Sequence, residues 1–224
     1  PPQTTKQVFT ELLEQEAFQV NRRSLKETTY DYLYLDGIWQ TVQGTLTGTA
    51  KEQVVLAVSG YRVEDDVHTF LGFLIADAED EASWNKLLDD LVARGLDLAG
   101  TKLLCMDGGA GLLAALESRA CTVPIQLCLT HRYRNVLAHT SKRNKKAMGT
   151  ELKQLTKSTS KEEFLRRAKA MDKKWSVSEA RAMSSLKWKL ELSVTYFSFH
   201  PTTGNTSVPP TSSSDGFEKY DVGR

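Results

Sequence analysis

The chain has 224 residues, of which 40% are hydrophobic and 25% charged, the composition of a soluble globular protein. No apolar run approaches the roughly 18 residues of a membrane span and no signal peptide opens the chain, so we expect a cytoplasmic protein without membrane contact. Three cysteines, an odd number in apolar surroundings, favour reduced thiols over a disulfide framework. Because the chain begins with Pro1 instead of Met, we expect a fragment.

The net charge of +1 hides an asymmetry along the chain. Residues 128–190 contain 17 Lys and Arg against 5 Asp and Glu, whereas the remainder contains 12 against 23. An acidic part and a basic part in one chain indicate a metal-binding core joined to a surface for a polyanion. An ordinary solvated helical face is the alternative that charge alone leaves open.

The first third of the chain has the pattern of a short helix followed by strands. Apolar positions at helical spacing predict a helix within 6–24. Runs rich in β-branched and aromatic residues predict strands at 29–39, 53–59 and 69–76. Short polar links between these strands predict an antiparallel meander.

The hydrophobic period changes after the third strand. Residues 80–94 place apolar side chains, with Trp84 among them, on one helical stripe, and the acids at its start suit the helix dipole without any catalytic role. A buried strand at 102–106, a helix at 112–118 and a short strand at 123–127 follow. The fold class predicted is therefore α/β, with a mixed five-stranded sheet and flanking helices.

Asp36 lies inside the first predicted strand, with apolar residues on both sides of it. A carboxylate buried there is costly unless a cation or another group compensates it, which suggests a metal ligand. The alternative is that Asp36 and Gly37 form a turn, the usual meaning of this dipeptide.

Asp107 follows the fourth predicted strand, at the end where functional carboxylates commonly sit. The glycine-rich turn at 108–111 lacks the lysine of a phosphate-binding P-loop, so a nucleotide-binding loop is a weak interpretation. If the first and fourth strands pair, Asp36 and Asp107 become neighbours that suit a pair of hard divalent cations.

Several short motifs occur in a fixed order along the chain. The main ones are Tyr-Leu-Asp-Gly-Ile-Trp at 34–39, Asp-Gly-Gly-Ala-Gly-Leu at 107–112, and Cys128 and His131 within 126–136. Between the first two lie Leu-Gly-Phe at 71–73, Glu-Ala-Ser-Trp at 81–84 and Leu-Val-Ala-Arg-Gly-Leu at 91–96. Together, over residues 28–199, they resemble the Mutator-type DDE transposases of bacterial insertion sequences.

The resemblance implies an RNase H-like fold and a transposase that cleaves DNA and transfers strands by a two-metal mechanism. Asp36 and Asp107 would hold Mg²⁺ or Mn²⁺; one ion would activate water and then the 3′-hydroxyl, and the other would stabilise the leaving oxygen. A glutamate far downstream completes the family's triad. The implied partners are the transposon ends and target DNA, together with further copies of the chain.

Cys128 and His131 form the Cys-x-x-His signature that the resemblance identifies. One such pair is not a structural zinc site, because zinc needs four ligands and the sequence offers no second pair. Two interpretations stay open: the pair helps to arrange the acidic site, or the two residues simply pack where a helix opens.

The basic part of the chain is predicted to be helical at 149–157, 160–174 and 177–192, with Trp175 and Trp188 packing these helices. The family resemblance makes this a helical insertion whose positive charge contacts DNA phosphates without reading bases. The candidate phosphate contacts are Arg132, Arg134, Lys142, Arg143, Lys145 and Lys146.

Residues 200–224 have no hydrophobic periodicity, and this composition predicts a disordered tail. The family instead continues with Arg-Thr-Thr-Asn-x-Ile-Glu, and Glu218 lies in a different context, so the third acid is missing. In the shifted reading frame the codons of 206–213 can encode Ile-Arg-Thr-Thr-Asn-Val-Ile, and the next junction allows Glu. We therefore expect a frameshifted tail and a chain without catalytic activity.

The predicted organisation is a helical lead-in at 1–27, an RNase H-like core at 28–140, a basic helical insertion at 141–199 and the tail at 200–224. Three functions compete: a transposase core, a non-catalytic remnant that binds DNA or an intact transposase, and a stand-alone RNase H-like nuclease. An intact third carboxylate separates the first from the second. Cleavage of an RNA–DNA hybrid separates the first from the third.

Overall fold

The computed structural model describes residues 19–43 and 50–199, so the tail at 200–224 and most of the predicted helix at 6–24 lie outside the described residues. Five strands are present in this part: β1 Tyr32–Gln43, β2 Ala50–Arg62, β3 Val67–Ala76, β4 Leu103–Met106 and β5 Ile125–Leu127. Six α-helices accompany them: α1 Glu81–Ala93, α2 Ala110–Ser118, α3 Leu129–Ala138, α4 Lys145–Thr156, α5 Lys161–Trp175 and α6 Ala180–Lys187. Two 3₁₀ turns, Leu190–Ser193 and Thr195–Phe199, follow α6.

The strands form one mixed sheet in the order β3-β2-β1-β4-β5. The antiparallel meander β1-β2-β3 is confirmed, with a register shift in the β2–β3 pairing between Val58 and Ser59. β1 starts later than the predicted strand at 29–39 and ends later, because backbone pairing continues through the polar residues Gln40 and Thr41. Backbone hydrogen bonds do not require apolar side chains, so composition marks only the buried middle of such a strand.

The chain divides into two compact units, one formed by residues 1–104 and 108–123 and the other by 105–107 and 124–224. In unit 1, α1 covers the sheet face that carries the buried residues of β1 and β2, namely Leu33, Leu35, Val54, Leu56 and Val58. A Cβ atom built on Gly72, on the same face, would lie 3.3 Å from Leu91 of α1. Trp84 is fully buried, as predicted.

Arg94 ends α1 and joins three parts of unit 1. Its guanidinium donates to the backbone carbonyls of Val20 and Leu71 at 3.0 and 2.9 Å and to the Asp90 carboxylate at 2.9 Å. Gly95, which follows Arg94, has a φ of +104°, a conformation that glycine adopts without strain. The Arg-Gly pair of the motif at 91–96 therefore has a structural role.

Unit 2 has its own core, made by α3–α6 and the two 3₁₀ turns. Its buried members include Tyr133, Leu152, Phe164 and Trp175, so the prediction that Trp175 packs these helices is confirmed. The same prediction for Trp188 is wrong, because 46% of that residue is exposed. Among the described helices, none combines the length and apolar character needed to cross a bilayer.

Candidate nucleic-acid interface and acidic residues

Asp36 lies in the interior of β1, where its Cα is paired with that of Ala57 of β2. Gly37 pairs with Leu56 in the same ladder, so the alternative of an Asp-Gly turn is wrong. Because side chains alternate along a strand, Asp36 shares its face with Tyr34 and Ile38, opposite to the face that α1 covers. On this face Asp36 is half-buried and Ile38 is 47% exposed.

Asp107 comes directly after Met106, the last residue of β4, as the sequence predicted. Its side chain is half-buried, and the next residue, Gly108, has a φ of +94° that allows the sharp turn before α2. The glycine-rich turn also serves packing, because a Cβ on Gly111 would lie 2.4 Å from the carbonyl oxygen of Glu79. This close approach explains the glycine at 111 without a bound phosphate.

The two aspartates offer oxygen ligands of the kind that Mg²⁺ and Mn²⁺ prefer. Within residues 19–43 and 50–199, however, no three side chains of His, Cys, Asp and Glu lie together as a metal site would require. The described residues thus contain two candidate carboxylates but no complete three-carboxylate site.

Cys128 occupies the N-cap position of α3, and its N–H donates to the carbonyl of Met106 at 2.7 Å. Burial raises the pKa of the Cys128 thiol, but hydrogen bonds with the His131 side chain and backbone outweigh burial and bring the pKa below its ordinary value. Burial instead raises the pKa of the neighbouring Cys105 thiol to about 12. The signature pair is therefore a hydrogen-bonded couple at a helix start, and all three cysteines are free thiols.

Arg132 differs from the other candidate phosphate contacts, because only 5% of it is exposed. Its guanidinium donates to the carbonyls of Ser185 and Leu186, at 3.1 and 2.7 Å, near the C-terminal end of α6. A cation there satisfies carbonyls that have no helical partner and suits the helix dipole. Burial lowers the pKa of Arg132 to about 10, so it is still charged at neutral pH.

The remaining candidate contacts lie at the surface of unit 2. Arg134, Lys142, Arg143 and Lys146 are exposed, and Lys145 is partly exposed. Four other cations in this unit are neutralised in salt bridges with carboxylates, namely Lys161, Arg167, Lys174 and Lys187. By contrast, Lys142, Lys145 and Lys146 have no ion-pair partner among the residues that the structure describes.

Glu179 fixes the loop that presents these cations, although no sequence pattern distinguishes it from the other acidic residues. The carboxylate is 5% exposed and accepts hydrogen bonds from the Ser141 N–H at 3.0 Å, from the Ser141 hydroxyl, and from the Asn144 amide at 2.6 Å. These bonds hold the pKa of Glu179 below its ordinary value. The basic loop, defined as residues 141–146 and so including the first two residues of α4, is thereby anchored to the residue preceding α6.

A cleft of about 530 Å³ opens in unit 2 between α3 and α6. Arg132, Asn135 and His139 line it from α3, and Asp107 also borders it. The opposite wall is formed by α6 and the residue that follows it, with Ala180, Arg181, Ser184, Ser185 and Trp188. Spacings of three and four residues place the members of each set on one face of a helix. The sequence contains these spacings, but they indicate a cleft only once α3 and α6 are known to be neighbours.

The sequence matches the profile of the family described as "Transposase, Mutator family" over residues 4–208. It is 29% identical over 178 residues to the transposase for insertion sequence element IS406 of Burkholderia multivorans, covering 79% of this chain and 44% of that protein. It is 34% identical over 129 residues to the transposase for insertion sequence element IS1081 of Mycobacterium tuberculosis, covering 57% of this chain and 29% of that protein. It is 30% identical over 175 residues to the transposase for insertion sequence element ISRM5 of Rhizobium meliloti, covering 78% of this chain and 42% of that protein.

The chain thus spans less than half the length of each of these curated relatives. The profile match begins before the motif-bearing range 28–199 and continues past it into the predicted tail. A match over most of the chain, with transposases of several insertion sequences as relatives, establishes the family: this chain belongs to the Mutator family of transposases.

Proposed function

We propose that this chain is a transposase core that binds the DNA of an insertion sequence through the basic surface of unit 2 but does not complete strand transfer. Its relatives are named as transposases for insertion sequence elements, which makes DNA the expected partner. In this proposal the chain has an RNase H-like fold, and the observed mixed sheet with its flanking helices supports that assignment. It also includes self-association on the transposon ends.

The observation that carries the proposal is the anchored basic loop. Three lysines of residues 141–146 have no ion-pair partner among the described residues, and the neighbouring Arg143 is exposed. The buried Glu179 fixes the backbone at Ser141 and the side chain at Asn144, so the cations are presented on a defined segment. Lys and Arg side chains held in this way can replace the counterions of a DNA backbone.

Asp36 and Asp107 are, in this proposal, the family's first two acidic residues. They would hold the divalent cation pair, whose chemistry is to activate the attacking oxygen and stabilise the leaving one. The sequence of residues 200–224 does not follow the family's Arg-Thr-Thr-Asn-x-Ile-Glu pattern, which would supply the third acidic residue. This difference supports a non-catalytic DNA-binding chain over an active transposase or a stand-alone nuclease.

Salt titration of duplex binding tests the proposal. We expect affinity for a labelled transposon-end duplex to fall steeply with salt, because each phosphate contact releases counterions. Replacing Lys142, Arg143, Lys145 and Lys146 by Gln should lower the log–log salt slope by roughly 3–4 and weaken binding at low salt by about 100-fold.

The matched control removes four exposed cations elsewhere in unit 2 by the substitutions Lys157→Gln, Arg166→Gln, Lys169→Gln and Lys173→Gln. Both variants lose the same charge, so only the position of the charge differs. We expect the control variant to keep the wild-type salt slope to within about one unit. Equal slopes for both variants, or a flat salt response of the wild-type chain, would contradict DNA binding by the basic loop.

A further inference from the structure

Among the described strands, β3 lies at one edge of the sheet, and its composition favours pairing with another chain. Residues 69–76, Thr-Phe-Leu-Gly-Phe-Leu-Ile-Ala, contain no charge and no proline. Two of their large side chains are exposed, Phe70 at 45% and Ile75 at 55%. Uncharged segments rich in aromatic and branched residues associate readily when they form a sheet edge, so we expect β3 to need protection.

The segment that precedes β1 covers part of this edge with a side chain. The Asn21 amide donates to the carbonyl of Phe73 and accepts from the N–H of the same residue, each at 3.0 Å. A residue of a neighbouring antiparallel strand would make the same two bonds. A strand that paired with β3 at Phe73 would therefore have to displace Asn21.

The motif Leu-Gly-Phe at 71–73, which the proposed function leaves unexplained, lies at the centre of these contacts. The Leu71 carbonyl accepts from Nη2 of Arg94 at 2.9 Å. A Cβ atom on Gly72 would lie 3.1 Å from Oδ1 of Asn21 and 2.5 Å from Nη2 of Arg94. Glycine in the middle of the motif therefore leaves the space in which these side chains reach the edge of β3.

Arg23 adds a positive charge to the same edge. Its guanidinium donates to the carbonyl of Phe70, and the residue as a whole is exposed. Charged side chains at an edge strand oppose pairing with another chain, and two copies that met edge to edge would bring two such charges together. Asn21 and Arg23 thus oppose pairing in different ways, the first by occupying backbone groups and the second also by charge.

We propose that Asn21 and Arg23 form a guard over β3, and that without this guard β3 pairs with the β3 of a second copy of the chain. A second copy is the partner because its edge carries the same uncharged residues 69–76, which two-fold symmetry places antiparallel to each other. The inference goes beyond the proposed function, since it concerns the chain without DNA and does not depend on the basic loop.

Sedimentation velocity of the full chain without DNA tests the guard. We expect the double variant Asn21→Ala/Arg23→Ala to dimerise at a concentration about tenfold lower than wild type, because pairing no longer has to displace the guard's hydrogen bonds. Hydrogen exchange gives a second measurement at the edge itself. The Phe73 amide should exchange faster in the dilute double variant than in wild type, and should become protected again as the dimer forms.

The matched control is Gln19→Ala/Lys26→Ala, which also removes one amide and one cation. Both residues are exposed on either side of the guard, and in the described part of the chain neither side chain bonds to β3. We expect this control to dimerise at the wild-type concentration. Adding Ile75→Lys to the guard variant places a charge on the exposed strand and should restore the wild-type behaviour.

Equal dimerisation concentrations of the guard variant and wild type would overturn the inference. Association that persists after Ile75→Lys would overturn it as well, since a contact elsewhere or an unfolded chain would then be responsible. Growth of the guard variant beyond the dimer without a plateau would exclude a closed pair of β3 strands. Each of these results leaves salt-dependent duplex binding, and with it the proposed function, unaffected.

Discussion

Three buried polar side chains hold unit 2 in shape, and each of them contacts residues far away in the chain. The Gln126 amide donates to the carbonyl of Ser193 at 3.0 Å and accepts from the N–H of Tyr196 at 2.9 Å, which fixes the 3₁₀ turns against β5. Arg132 and Glu179 make the equivalent long-range contacts at the two ends of α6. A buried polar group without such partners would cost stability, so these bonds specify one arrangement of the helices.

Glu179 gives a prediction about pH. Because its hydrogen bonds lower the folded pKa, the stability they provide is present above the ordinary carboxyl pKa of about 4.3 and is lost as pH falls through the folded value. Glu179→Gln should therefore be less stable than wild type at pH 7, and the difference should shrink below about pH 4. Urea unfolding between pH 3 and pH 7 measures it, with the exposed Glu162→Gln as control. A difference that is constant over this range would contradict the role of Glu179.

Cys128 and His131 give a second prediction at this scale. Since the His131 hydrogen bond lowers the pKa of the Cys128 thiol against the effect of burial, His131→Ala should raise that pKa. The pH dependence of iodoacetamide alkylation, resolved for each cysteine by mass spectrometry, reports the shift. Cys105 should stay unmodified below about pH 10, because burial raises its pKa to about 12. An unchanged alkylation midpoint for Cys128 in the variant would show that His131 has only a packing role.

At the scale of elements, side-chain caps account for where two of the six described α-helices begin. Asp80 caps α1 by accepting from the N–H of Ser83 at 2.8 Å, and Ser160 caps α5 by accepting from the N–H of Glu163 at 3.1 Å. Both caps follow from the preference of Asp and Ser for this position. The start of α2 has no side-chain cap and depends instead on the close approach that Gly111 allows.

Two glycine substitutions test whether the start of α2 depends on the close approach that Gly111 allows. In Gly111→Ala the new methyl group would meet backbone atoms of Glu79 and Asp80 at 2.4–2.8 Å, so we expect a loss of about 1–3 kcal/mol in the free energy of unfolding. Gly149→Ala, inside α4, places its methyl 3.9 Å from Leu137 and should instead gain up to about 1 kcal/mol. Urea unfolding measures both. Equal effects of the two substitutions would contradict the packing role of Gly111.

Sequence patterns predicted the five strands and most of the described helices, because burial imposes a period on local composition. They did not predict α3, and α6 ends at Lys187 instead of continuing to 192. They placed Asp36 in a strand and Asp107 at a strand end for the same reason. They could not show that Trp188 is exposed, because a tryptophan at helical spacing is compatible with either a core or a cleft. Nor could they identify Glu179 as the anchor of the basic loop, since its partners lie 35 and 38 residues away.

At the scale of the whole molecule, the charge asymmetry follows the division into units. The basic stretch 128–190 lies entirely within unit 2, which also contains Asp107, whereas Asp36 belongs to unit 1. The basic helices and the two candidate aspartates thus belong to a chain of the Mutator family of transposases. This chain spans less than half the length of its curated relatives. We propose that DNA binding survives in this chain and that strand transfer does not.

The most direct test of this account incubates the purified chain with a labelled transposon-end duplex and a target plasmid in Mg²⁺ and, separately, in Mn²⁺. The same samples are assayed for binding by mobility shift and for cleaved or joined DNA on a denaturing gel. The account predicts a salt-sensitive complex with neither cleavage nor joining, and an unchanged complex for Asp107→Asn. Joined products that disappear in Asp107→Asn would contradict it, since they would show that the chain assembles a complete catalytic site.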